Sequence, residues 1–176
     1  NTVTSLGDHA FSASRLTTVS IPKSINSIGN GAFLFCNLLN EINVDPENPS
    51  FCSTDGVVFD KAKTKLLICP TAKSGSYAVP EGLISISDDS FNGSILTDIT
   101  LNDKLASIGN NAFANCVNLR TIKIPEKLSS IGTSAFANCL KLTSISVNVA
   151  IPLNLKDQST FNQINKTNCI IYVPFR

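Results

Sequence analysis

The stretch from Ser107 to Pro125, SIGNNAFANCVNLRTIKIP, returns twenty-three residues later as SIGTSAFANCLKLTSISVN, with Ser-Ile-Gly, Ala-Phe, Ala-Asn-Cys, Leu and Ile kept in place. A fixed period of this length restricts the fold severely. Each unit leaves an apolar face open that only the next unit can cover, so the units must stack into a solenoid. Two ladders carry the period along the chain. One is Phe11, Phe33, Phe91, Phe113, Phe136 and, more loosely, Phe161. The other is the apolar residue closing each short extended segment: Ile21, Val44, Val79, Leu101, Ile124, Val147 and Val173. Both advance in steps of 22 to 26 residues except at one interval, which lengthens to 58 in the first ladder and 35 in the second.

Each unit divides into two faces. LTTVSIP, LNEINVD, LTDITLN, LRTIKIP and LTSISVN alternate apolar and polar residues, the pattern of a half-buried strand. Stacked, they predict one parallel sheet of about seven short strands. Val19, Ile21, Ile42, Val44, Ile99, Leu101, Ile122, Ile124, Ile145 and Val147 face inward. Thr18, Ser20, Glu41, Asn43, Asp98, Thr100, Thr121, Lys123, Ser144 and Ser146 face outward. Pro22 and Pro125 follow two of these segments, where a fixed φ and a missing N–H suit a chain leaving the sheet. On the opposite face Gly7, Gly29, Gly109 and Gly132 supply a backbone angle or a close approach as the chain bends into a short helical turn, with Phe plugging the core. The expected class is therefore an α/β repeat. Ser87 and Ser90 stand where other units have Gly and Ala, so that bend is expected to be less regular.

The long interval holds no Gly-x-x-Ala-Phe unit. GVVF and KLLICP flank the polar DKAKT and read as a hairpin, with Asp45 to Gly75 bulging from the coil and the chain rejoining it at Tyr77 and Val79. Asn148 to Arg176 departs from the period and reads as a closing strand and cap. The whole is expected to be one domain over 1–176, with a hairpin-type variant unit at about 45–80 and the cap at about 148–176.

Composition narrows the function classes. Hydrophobic residues make up 43% of the chain, enough for a full core, while charged residues are only 15%, so Ser, Thr and Asn must supply the polar surface. With 14 basic and 13 acidic residues, nothing draws the chain to nucleic acid or an anionic membrane. No run of about 18 apolar residues is present to insert into a bilayer. Absence of Met and a start inside a repeat, VTSLGDHAF, give the expectation of a piece from a longer precursor whose signal and anchor lie elsewhere.

The pattern IGxxAFxxCxxLxxIxIP resembles the BspA-like, Treponema pallidum type of leucine-rich repeat found in bacterial and some protist surface proteins. The likeness covers nearly the whole chain; NPSFCSTDGVVFDKAKTKLLICP with YAVPEGL resembles a variant unit of that family, and NCIIYVP its usual ending. The resemblance implies an extracellular or surface-attached module for adhesion and protein contacts, sometimes with host matrix proteins. It brings no catalytic or ligand residues. Ser14 and Ser94 depart from the motif Cys.

Candidate chemistry is thin. Cys36, Cys116 and Cys139 share one repeat position, where a thiol serves as a small apolar filler, and side chains stacked in parallel seldom meet disulfide geometry. Cys52 and Cys69 flank the hairpin and leave a bond between them open; Cys169 is expected to be buried in the final strand. A metal site needs ligands bunched at short spacing, yet there is no CxxC and His9 is the lone imidazole. Asp88 and Asp89 do not follow a calcium-loop pattern. No cofactor motif is present. Nucleophilic catalysis needs a base beside Ser or Cys, and only His9 could serve, which leaves a hydrolase as a remote alternative. Asn92-Gly93-Ser94 and Asn165-Lys166-Thr167 are glycan sequons, meaningful only in a eukaryotic host. Three features remain for protein partners or none: the ten outward residues, the hairpin with Phe59, Lys61, Lys63 and Lys65, and a bare spacer role within a larger surface protein.

Overall fold

A computed structural model describes residues 2–147, 154–155, 158–164, 167 and 169–172. The chain winds through about six turns of a β-solenoid. One face carries the longer strands β2 (Thr18–Ile21), β4 (Glu41–Val44), β8 (Ser76–Ala78), β10 (Asp98–Thr100), β12 (Thr121–Ile124), β14 (Ser144–Val147) and β16 (Ile170–Tyr172). The other carries the two-residue strands β1 (Ser5–Leu6), β3 (Ser27–Ile28), β9 (Ser85–Ile86), β11 (Ser107–Ile108), β13 (Ser130–Ile131) and β15 (Asn154–Leu155). Among the described residues seven long strands match the expected number, and every pair they form is parallel. They do not form one sheet: β2–β4, β8–β10 and β12–β14–β16 are separate.

No α-helix occurs among the described residues, so the expected helical turns and the α/β class give way to a nearly all-β solenoid. The reason lies in the backbone. Two residues after the Gly position the chain takes a left-handed φ, at His9, Gly31, Asp89, Asn111 and Ser134, and does so again two residues after Phe, at Ala13, Phe35, Gly93, Asn115 and Asn138. A left-handed residue every fourth position ends a helix before it starts. What forms instead is a chain of i→i+3 turns: Ala10 N donates to Gly7 O, Ser12 N to His9 O and Ser14 N to Phe11 O. Gln158–Phe161 is the one 3-10 turn among the described residues.

Of the two roles expected for the repeat glycine, close approach is observed at Gly29, Gly109 and Gly132, whereas a Cβ on Gly7 would meet nothing within 4 Å. A Cβ on Gly29, Gly109 or Gly132 would collide with backbone of the preceding turn, at Asp8, Asp88 and Asn110 respectively. Ordered amides then cross between turns: Phe11 N to Ala32 O, Phe91 N to Ala112 O and Phe113 N to Ala135 O, each 2.8 Å.

Inside, rings stack as the ladder requires. Phe91, Phe113, Phe136 and Phe161 lie with centroids 4.9, 5.0 and 5.4 Å apart, and Phe11 lies 5.5 Å from Phe33. Phe11 is 41% exposed because no described turn covers its outer side. The thiols of Cys36, Cys116 and Cys139 fill the expected inward position and donate to the carbonyls of Phe11, Phe91 and Phe113 at 3.0, 3.1 and 3.2 Å. Cys52 and Cys69 are not bonded to each other, and Cys169 is half-buried just before β16.

The insert differs most from its expectation. Rather than bulging outward, β5 (Phe51–Thr54), β6 (Val57–Asp60) and β7 (Lys65–Ile68) form an antiparallel meander, and β7 joins β9 in parallel. Val57, Val58 and Phe59 are fully buried, Val58 in a cluster with Phe33 and Ile42, Val57 and Phe59 in one with Phe91 and Phe113. The strand therefore crosses the solenoid and partitions its core. A second hairpin, β5–β6, turns on Asp55 and Gly56, both left-handed at φ 51 and 75. The β6–β7 turn is pinned by the Asp60 carboxylate, which accepts from Thr64 N, Lys65 N and Thr64 Oγ1, each at 2.7 Å. Most of the expected cap over 148–176, with Val173, Asn165 and Lys166, lies outside the described residues.

Candidate functional site

The ten outward residues come from alternate positions of the long strands, and strand register sets them in rows. Thr18 aligns with Glu41 and Ser20 with Asn43. Thr121 aligns with Ser144 and Lys123 with Ser146, while Asp98 and Thr100 align with Ser76 and Ala78 of β8. All ten face outward as expected, Ser144 and Ser146 being half-buried and the other eight exposed. They fall into two groups. Between β4 and β8 the Asp55-Gly56 turn packs on Glu41, so closely that a Cβ on Gly56 would come 2.8 Å from Glu41 Cγ. Lys73 closes the same gap, donating to Asp55 O at 2.8 Å with its ammonium 5.7 Å from the centre of the Tyr77 ring. The groups are thus Thr18, Ser20, Glu41 and Asn43 on one side, and Asp98, Thr100, Thr121, Lys123, Ser144 and Ser146 on the other.

The same rows continue onto β16. Ile170 aligns with Ser144 and Tyr172 with Ser146, and they are 55% and 54% exposed. The face therefore ends in an apolar and an aromatic side chain, which the outward selection missed because the final segment leaves the period. The place of Val173 in the strand ladder was the available signal, since parity from it puts Ile170 and Tyr172 on the outer side. The hairpin candidate changes in the opposite sense: Phe59 is buried and cannot offer a contact, leaving Lys61, Lys63 and Lys65 exposed.

Nucleophile chemistry finds little support in the geometry. Burial pushes the Cys69 and Cys139 thiols up to about 12 and Cys116 well above its ordinary value, and the same cause raises Cys52 and Cys169. A thiol held protonated is a poor nucleophile. His9 is exposed, and its imidazole has no hydrogen-bond partner among the described residues. No group of three metal-ligating side chains occurs among the described residues.

Structures of bacterial proteins share this architecture. A leucine-rich repeat protein from Eubacterium ventriosum superposes with a TM-score of 0.79 at 27% identity, over 87% of this chain and 41% of that one. A leucine rich cell surface protein from Faecalibacterium prausnitzii gives 0.72 at 26% identity, over 99% and 52%. The pneumococcal vaccine antigen PcpA gives 0.69 at 23% identity, over 99% and 60%, a likeness of fold alone. The chain thus spans about half the length of these relatives. No curated protein sequence matches it. The profile of the BspA type leucine rich repeat region matches six copies, across residues 1–67 and 69–173. On that span, and on the stacked Phe and strand ladders that the repeats build, the chain belongs to the BspA type leucine-rich-repeat family.

Proposed function

We propose that this chain is a non-enzymatic protein-interaction module, acting at a cell surface or in the extracellular space. The observation that carries the reading is the outward rows of side chains, in register over β8–β10 and again over β12–β14–β16, the second set ending in exposed Ile170 and Tyr172. Rigid repeat surfaces of this kind suit extended protein partners, and an exposed Tyr is a favoured anchor. The surface location draws on the family and on the Faecalibacterium relative described as a cell surface protein.

The test is capture of extracellular-matrix and epithelial surface proteins by immobilised protein, with the triple variant Glu41→Lys, Asp98→Lys, Lys123→Glu beside it. These side chains are exposed, so the variant keeps its fold. Capture that falls about tenfold in the triple variant, and again in Tyr172→Ala, supports the face as the binding surface. Failure to capture any of the panel, or capture indifferent to these changes, favours a spacer with no ligand of its own.

A further inference from the structure

The aromatic pile is broken once. Phe33 and Phe91 each stack on a neighbour, but no ring joins the two. Cys69 holds the missing place: its amide donates to Ser90 O at 2.8 Å, the bond that Phe91 makes to Ala112 O and Phe113 to Ala135 O. The chain reaches this point early. It takes three residues from Leu66 to Cys69, whereas the next turn takes five from Ile86, the partner of Leu66, to Phe91. The third turn is therefore short and stays close to the core. Above it lies a cleft of about 530 Å³, floored by Leu67, Ile68, Cys69 and Thr71 and walled by the second and fourth turns.

Both walls present backbone groups that elsewhere bind a neighbouring turn. His9, Phe11 and Ala13 amides donate to Asn30, Ala32 and Leu34 carbonyls, and Asp89, Phe91 and Gly93 amides to Asn110, Ala112 and Ala114. In the second turn the matching amides of Gly31, Phe33 and Phe35 have no partner among the described residues. In the fourth, the matching carbonyls of Asp88 and Asn92 accept nothing among them. Ser87 Oγ, on the same wall, is buried and without a partner. A row of unpaired backbone amides facing a row of unpaired carbonyls is a template for another chain, as at an open sheet edge.

We infer that this cleft is a peptide-binding site, taking an extended partner segment with a basic side chain as the absent outer rung. Carbonyls of the segment accept from the Gly31 and Phe33 amides, and its own amides donate to the Asp88 and Asn92 carbonyls, as in strand addition. One apolar side chain rests on Leu67 and Cys69. A Lys or Arg meets the Asp89 carboxylate: its Oδ1 takes Asn92 Nδ2 at 2.8 Å, and its Oδ2 has no partner among the described residues. Asp88 is already engaged by Asn110, through N at 2.7 Å and Nδ2 at 3.1 Å. Among the described residues Lys65 is the one cation lining the cleft, so the Asp88 and Asp89 carboxylates outweigh it and a free anion is disfavoured. The site is on the side of the short strands and is independent of the outward face of the long ones.

The test uses random heptapeptides displayed on phage, selected on the native protein and counter-selected on Cys69→Phe, which restores the ring and fills the floor. A selected peptide is synthesised and titrated by fluorescence anisotropy. Expected are a recurring Lys or Arg and a loss of affinity of about three- to tenfold in Asp89→Asn that shrinks as salt is raised. That variant keeps a residue type suited to φ 56 and the bond from Asn92. Bound peptide slows hydrogen exchange at Gly31 and Phe33 and leaves the Glu41, Asp98, Lys123 triple variant unaffected. Should Cys69→Phe fail to fold, Asp89→Asn and the exchange pattern decide. The inference is overturned if no peptide is selected, if Gly31 and Phe33 exchange is unchanged on binding, or if affinity depends on the triple variant, which would place the peptide on the outward face.

Discussion

Each buried Phe is a plug shared by two turns, so its loss is felt on both sides. Phe113, fully buried between Phe91 and Phe136, should cost about 3–5 kcal/mol when cut to Ala, read as a shift in the urea midpoint. Phe11 has one ring neighbour and an open side, so Phe11→Ala should cost well under half as much. Two buried thiols make a second prediction. Cys69 and Cys139 are raised by burial from an ordinary 9.0 to about 12, so the folded state holds them neutral where the unfolded chain ionises. Stability is then intact below about pH 9 and falls as pH rises toward 12, by roughly 1.4 kcal/mol per pH unit for each such thiol. Urea titrations at pH 8, 9.5 and 10.5 check this; a flat profile contradicts it. The placement of Phe113 and Cys139 was legible from the ladder, since one period brings Phe to Phe and Cys to Cys, whereas Cys69 lies outside it. The hydrogen bond from Cys139 to the Phe113 carbonyl was not, because it depends on the offset between turns.

Among the elements, the β5–β6 hairpin has the sharpest requirement. Gly56 combines a left-handed φ with a close fit, a Cβ there coming within 3.0 Å of Glu41 Cα, so Gly56→Ala should destabilise by about 1–3 kcal/mol. Gly82 has ordinary φ and open space around its Cβ direction, and Gly82→Ala should fall within about 0.5 kcal/mol of the native protein. Thermal melts of the pair separate the two cases. Asp-Gly between apolar strands is a strong hairpin signal, so this turn is readable in STDGVV as well as the one in DKAKT. The absence of helix was less accessible. Ala, Asn and Phe beside each Gly have no common preference against helix, and the left-handed steps at Ala13 and Asn115 are held by amides that cross to the neighbouring turn.

Over the whole molecule, the crossing strand β6 divides the interior into a smaller cluster around Phe33 and a larger one around Phe91 to Phe136. Repeat proteins lose structure locally because each unit touches only its neighbours. Phe33→Ala should therefore raise hydrogen exchange in residues 5–44 while leaving 107–147 near native rates. Equal loss of protection across both would show that β6 couples the clusters instead of separating them. Buried Asn48 and Asn102 brace the turns on either side of this strand, donating to Pro22 and Ile25 carbonyls and to Pro80 and Leu83 carbonyls.

Periodicity alone determined the stacking, the inward Phe and Cys, and which side of each long strand meets solvent, because side-chain direction in a strand follows parity and each repeat repeats it. Tertiary structure decided what lies between units. It cut the long-strand face into sheets, turned the insert inward through the core, placed Tyr172 beside Ser146, and opened a cleft where one turn runs two residues short. Those outcomes depend on how far one turn is offset from the next, and a spacing read along the chain contains no distance across it.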